Sequence, residues 1–184
     1  MTQPLNAVTD RLFQGSVPDP ALSYDRFTMI VLCAQEQQPE LPRFPRKIVR
    51  PAFDDTHEPT KEEIDRARNA ASEVARELLA GGCVLVTCAA GLNRSGLVSG
   101  LALTMSTRLP ADEIIAKIRA ARGDMALCNR TFAAIVEQSA QLRDRLVAGK
   151  LDGKAKSPRA KGAAVPQRGR GEPRSEAREV FRRR

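Results

Sequence analysis

A short loop set between an apolar strand and a helical pattern constrains this chain more than any other segment. Cys83-Val84-Leu85-Val86-Thr87 has the apolar, β-branched character of a buried strand. Gly96 to Met105 reads as a helix. Between them runs Cys88-Ala89-Ala90-Gly91-Leu92-Asn93-Arg94-Ser95-Gly96. A loop that leaves a buried strand and opens a helix turns successive backbone N–H groups inward. It also aims a helix N-terminus at the same point, which suits a bound phosphate. Cys88 opens the loop where that positive field is greatest, and the thiolate is the nucleophilic form of cysteine. Arg94 brings a planar fork that can hold two oxygens of a tetrahedral anion. Gly91 suits a backbone that must turn tightly around an anion. Ser95 offers a hydroxyl to the Cys88 sulfur.

The flanking pattern predicts an α/β domain. Leu12 to Gln14 reads as a short strand, and Met29 to Cys33 as a strand covered on both faces. Lys47 to Arg50 is a further strand, stopped by Pro51. Thr60-Lys61-Glu62-Glu63 is a capping box. It opens a helix with Ile64, Ala67, Ala71, Val74 and Leu78 on its apolar face, ended by Gly81-Gly82. Ala111 to Ala121 and Asn129 to Leu146 read as two more helices, the second with Phe132, Ile135, Val136, Leu142 and Leu146 inward. Alternation of strands and helices predicts a mostly parallel central sheet with helices on both sides.

The net charge of +8 resolves into two parts. Residues 1–149 carry 18 basic and 18 acidic side chains, whereas residues 150–184 carry 12 basic and 4 acidic ones. The expectation is therefore a neutral domain over 1–149 and a basic tail over 150–184. The tail is too poor in apolar residues to fold alone. No apolar run reaches the length of a membrane span, and no secretory pattern opens the sequence. The four cysteines form neither a disulfide framework nor a zinc pattern. Cys33, Cys83 and Cys128 are expected to be buried packing residues. A reducing cytoplasm is the expected setting, because a nucleophilic thiol needs one.

C-x5-R-[ST] after a hydrophobic strand, here Cys88-Ala89-Ala90-Gly91-Leu92-Asn93-Arg94-Ser95, resembles the signature of the cysteine-dependent protein tyrosine phosphatases, the dual-specificity group included. Thr9 to Ser16 is similar to the entry strand of that group. Phe53-Asp54-Asp55-Thr56 resembles its acid loop, and Leu127 to Phe132 the start of its closing helix. The resemblance spans roughly residues 9 to 146. It implies that Cys88 is the nucleophile and that Arg94 and the backbone of Ala89, Ala90, Gly91, Leu92 and Asn93 hold the phosphate. It implies that Ser95 eases departure of the sulfur from a cysteinyl-phosphate. It also implies an aspartate acid, for which Asp54 and Asp55 both qualify and Asp55 fits the acid loop better. His57 reads as an exposed loop histidine without a task. No metal or cofactor is implied.

One departure is visible. The family usually has histidine before the cysteine, and Thr87 stands there. Its hydroxyl is the local replacement. The implied activity is hydrolysis of phosphotyrosine, with phosphoserine and phosphothreonine, in a protein or peptide. The compact domain implies a shallow pocket, and the uncharged Ala89, Ala90, Leu92 and Asn93 disfavour phosphoinositides. Two other readings stay open at this level. Gly91-Leu92-Asn93-Arg94-Ser95-Gly96 is similar to the loop of RNA 5′-triphosphatases in the same superfamily, and a basic tail suits a nucleic acid or an anionic surface. A phosphate-binding module without turnover is the third.

Overall fold

The computed structural model describes residues 5–44 and 46–154. Five strands run β1 (Asn6–Ala7), β2 (Leu12–Gly15), β3 (Met29–Leu32), β4 (Lys47–Val49) and β5 (Val84–Thr87). Among the described residues the helices are α1 (Lys61–Leu79), α2 (Arg94–Ser106), α3 (Ala111–Arg122) and α4 (Arg130–Lys154). The strands form one sheet in the order β1-β2-β5-β3-β4. All pairs are parallel except β1 with β2, where Asn6 lies opposite Gln14. The expected mostly parallel sheet with flanking helices is present. The two-residue β1 lies outside the sequence reading, since so short an edge carries no periodicity.

β5 occupies the middle of the sheet. Its Val84 sits opposite Leu12 on one side and Met29 on the other. All four residues of β2, β3 and β5 are buried, which explains their continuous apolar runs. Alternate residues point to opposite faces. Met29, Val31, Val84, Val86 and Cys88 join a core built with residues of all four helices, among them Val74, Leu101, Ile118 and Val136. Ile30, Leu32 and Leu85 face the other way, into a smaller cluster with Phe13, Tyr24, Phe27, Leu41 and Phe44. The helices therefore gather on one face. The expectation of helices on both sides is corrected here: the second face is closed by the aromatic-bearing segments around 24–27 and 41–44.

The capping box forms as expected. Thr60 accepts from the Glu63 backbone N–H at 3.2 Å, and the Glu63 carboxylate accepts from the Thr60 N–H at 2.8 Å. The helix after the loop starts two residues earlier than its pattern predicts, at Arg94. It is buried on every side from Arg94 to Thr104, so it carries little amphipathic signature.

The last helix departs from expectation in its second half. Leu142 and Leu146 are each 58% exposed, not inward. They line an open groove of about 710 Å³ with Met105 and Val147. Helix α2 ends at Ser106, so α4 outruns the partner that would bury these leucines. The basic tail, apart from the end of α4, lies outside the described residues. Among those described, no helix is long and apolar enough to cross a membrane.

Candidate active site

The loop leaves the carboxyl end of β5, the strand between β2 and β3, where an open parallel sheet forms its ligand crevice. Cys88 is anchored there by its N–H to the Gly15 carbonyl at 3.3 Å and is only 3% exposed. Two side chains, Gln14 and Arg122, hold the loop carbonyls from outside. Gln14 Nε2 donates to the Gly91 carbonyl at 3.0 Å. Arg122, at the end of α3, donates to the carbonyls of Gly91 and Ala90, each at 3.0 Å. Among the described residues, no backbone N–H from Ala89 to Gly96 donates to any protein group. Such a row of unspent donors at a helix N-terminus is an anion nest.

Gly91 is required by this geometry. Its φ is +70°, and a Cβ there would lie 2.5 Å from the Gly15 carbonyl carbon.

Ser95 is fully buried, with Oγ 3.2 Å from Cys88 Sγ. Arg94 is 5% exposed. Its fork donates to both oxygens of Glu36 at 2.6 Å, and to the Phe53 carbonyl at 3.2 Å. Its Nε is buried without a protein partner. The Glu36 hydrogen bond above all favours the Arg94 cation, burial opposes it, and the charges of Cys88, Glu36 and Asp55 add to it in that order. These groups thus lie within electrostatic reach of one another. Arg94 in turn holds the Glu36 carboxyl at about 2, well below the usual carboxylate range. Glu36 was not found from sequence. It sits in the loop after β3, 58 residues from Arg94, and nothing local in the chain marks it.

Of the two candidate acids, Asp55 joins the loop. Its Oδ2 accepts from Asn93 Nδ2 at 3.1 Å and its Oδ1 from Asn129 Nδ2 at 3.0 Å. The Asp54 side chain makes no hydrogen bond or ion pair among the described residues; only its backbone N–H is engaged, by Glu63 at 3.2 Å. Asn129 also caps α4 through the N–H groups of Thr131 and Phe132. His57 is exposed, and its carbonyl accepts from Thr131 Oγ1 at 2.7 Å.

Two expectations change. The Thr87 hydroxyl donates to the Val31 carbonyl at 3.0 Å. It is therefore committed to β3 and does not stand in for the family's histidine. The reason is strand alternation, which turns Thr87 away from the face of Cys88. Cys128 is exposed rather than buried, because it lies in the loop just before α4, and its Sγ is 3.5 Å from Asn93 Oδ1. Cys33 is buried in the same core as Cys88, and burial pushes its thiol up. Cys83 is partly buried against the second cluster.

No protein-family model and no curated protein matches the sequence. Solved structures do match. Human DUSP28 superposes with a TM-score of 0.67 at 20% identity, over 78% of this chain and 97% of its own. A mouse putative dual-specificity phosphatase complexed with zinc tungstate gives 0.67 at 21%, over 78% and 91%. The chain has the dual-specificity phosphatase fold. A human tyrosine phosphatase-like serine/threonine/tyrosine-interacting protein shares it as well, with a TM-score of 0.60 at 17% identity, over 78% and 97%.

Proposed function

We propose that this protein is a phosphatase that hydrolyses phosphotyrosine, together with phosphoserine and phosphothreonine, in proteins through a cysteinyl-phosphate. The observation that carries the reading is the pairing of Cys88 Sγ with a row of unspent N–H donors, Ser95 at 3.2 Å and an unpartnered Arg94 Nε. A phosphoryl group needs that donor set. Charge in its transfer spreads over the equatorial oxygens, and fixed N–H groups hold it without rearrangement. A mouse structure of the same fold is complexed with zinc tungstate, and tungstate is a tetrahedral oxyanion, which supports the reading.

In the first step Cys88 Sγ attacks phosphorus, the P–O bond to the phenol or alcohol breaks, and Asp55 passes its proton to the departing oxygen. Arg94 holds oxygens of the transferred group through Nε and the free edge of its fork, while Glu36 keeps the guanidinium aimed. In the second step water attacks phosphorus and gives a proton to Asp55. The S–P bond breaks, and the Ser95 hydroxyl donates to the departing sulfur. Inorganic phosphate leaves, and the carboxyl is again protonated.

The loop side chains favour a protein substrate. Ala89, Ala90, Leu92 and Asn93 add no cation to the hollow, so a polyphosphorylated lipid headgroup finds no second charge there. A phosphotyrosine peptide compared with 5′-triphosphorylated RNA tests the reading. The peptide turns over, vanadate inhibits, and Cys88→Ser abolishes turnover. RNA preferred by orders of magnitude in kcat/KM, or turnover surviving Cys88→Ser, overturns it.

A further inference from the structure

We propose that Asn93 and Asn129 form an amide bridge that fixes the Asp55 carboxyl group over the phosphate loop before substrate arrives, so that both asparagines are positioning residues for the proton donor. The proposal rests on the phosphatase reading above and adds to it roles for two side chains that neither motif nor fold assigns.

Asp55 is exposed and lies on a segment without regular structure between the Ala34–Phe53 bridge and α1. An aspartate on such a segment ordinarily samples several rotamers. Here each oxygen is taken by a different amide, one from the phosphate loop and one from the N-terminus of α4. The two asparagines are also joined to each other. Asn93 Oδ1 accepts from the Asn129 backbone N–H at 3.1 Å. Asn129 spends its second N–H on the Thr56 carbonyl at 2.9 Å and its oxygen on the first turn of α4.

This orientation of both amides is forced by their partners. Reversing Asn129 sets its oxygen against the Asp55 carboxylate and the Thr56 carbonyl, and its NH2 against two backbone donors. Reversing Asn93 sets its oxygen against the Asp55 carboxylate. Glu63 on the Asp54 N–H and Thr131 on the His57 carbonyl hold the segment on either side. Closure of the acid loop therefore requires no contact from substrate. A proton donor held in place saves the cost of orienting it in each turnover.

Asn129→Ser separates this role from helix capping, because serine keeps an N-cap oxygen but is too short to reach Asp55. Turnover is measured over a series of aryl phosphates with increasingly poor leaving groups. The expected result is a fall in kcat of about 10- to 100-fold at the poor end and under about 3-fold at the activated end. In an Asp55→Asn background the same substitution adds less than about 2-fold. A uniform fall across the series, or full additivity with Asp55→Asn, leaves only a structural role and overturns the proposal. Hydrogen exchange decides independently of activity. The amides of residues 54–58 exchange at least about 10-fold faster in Asn129→Ser and in Asn93→Ala than in the wild type, and equal rates overturn the bridge. Failure of the phosphatase reading shows elsewhere, as a wild type that hydrolyses no aryl phosphate or as turnover that survives Cys88→Ser. The exchange rates still judge the bridge in either case.

Discussion

The proposed phosphate loop and the proposed acid loop meet at the Asn93–Asp55 hydrogen bond, yet they are built in opposite ways. The first is contiguous: residues 88–96 bring sulfur, guanidinium, hydroxyl and backbone donors in one stretch, anchored between the central strand and a helix buried all round. The second is assembled. Asp55 is exposed, and its position is set by Glu63, Asn93, Asn129 and Thr131 on three different elements. The difference follows from what each part must do. Binding a tetrahedral anion takes many donors at fixed angles, which a single turn of backbone provides. Delivering one proton takes a single carboxyl at the right point, which any loop can bring if distant side chains clamp it.

The largest effects are expected in the contiguous part. Cys88→Ser is expected to remove turnover by about 10⁵-fold or more, by analogy with loss of other nucleophiles, as measured by steady-state hydrolysis of a phosphotyrosine peptide. Arg94→Lys is expected to cost about 10³-fold in kcat/KM, because a point charge replaces a fork that holds both Glu36 and the phosphoryl oxygens. If lysine rescued most of the activity, the bidentate geometry would not matter and the contrast between the loops would weaken.

The assembled part should answer in a graded way. Asp55→Asn is expected to slow substrates with poor leaving groups about 10²-fold and activated aryl phosphates far less. Asp54→Asn is expected to change either by less than about 3-fold, since its side chain makes no hydrogen bond or ion pair among the described residues. The reverse order would move the acid to Asp54.

Glu36 is bound to Arg94 of the contiguous part and carries the pH dependence. Its carboxyl lies at about 2 in the fold, below its ordinary 4.5. A depressed carboxylate stabilises the fold fully above the unfolded value, and that contribution is lost as pH falls through the folded value. The stability gap between wild type and Glu36→Gln, from urea unfolding, is therefore expected to be constant above about pH 5 and to close towards pH 2. Glu36 is half exposed, so solvent screening keeps the gap small. In the same variant, kcat/KM is expected to fall about 10-fold through a loosened Arg94. The smallest effect concerns the scaffold. Thr60→Ala removes one cap bond of α1 and is expected to cost about 1 kcal/mol in chemical denaturation.

The sheet and helices were legible because their causes are local. Apolar runs covered on both faces, a capping box and a glycine pair each mark an element within a few residues of itself. What lay outside that reading depends on partners far along the chain. Which face the helices share is decided by how the segments around Phe27 and Phe44 fold back over the sheet. Leu142 and Leu146 have the spacing of a core face, and only the length of α2 leaves them uncovered. Thr87 is polar and sits at a strand end, and only the register with β3 shows that its hydroxyl is spent on Val31.

By itself, the sequence determined the anion loop, its sulfur and its guanidinium, because the chemistry of that loop is written in consecutive residues and needs only a strand before it and a helix after it. Tertiary structure alone decided which carboxyl group joins Asn93 of the loop, which one binds Arg94, and which second amide holds Asp55. Those contacts span 36 to 74 residues of chain. Hydrogen bonds of a few ångströms between such distant side chains exist only once the sheet order has brought their elements together.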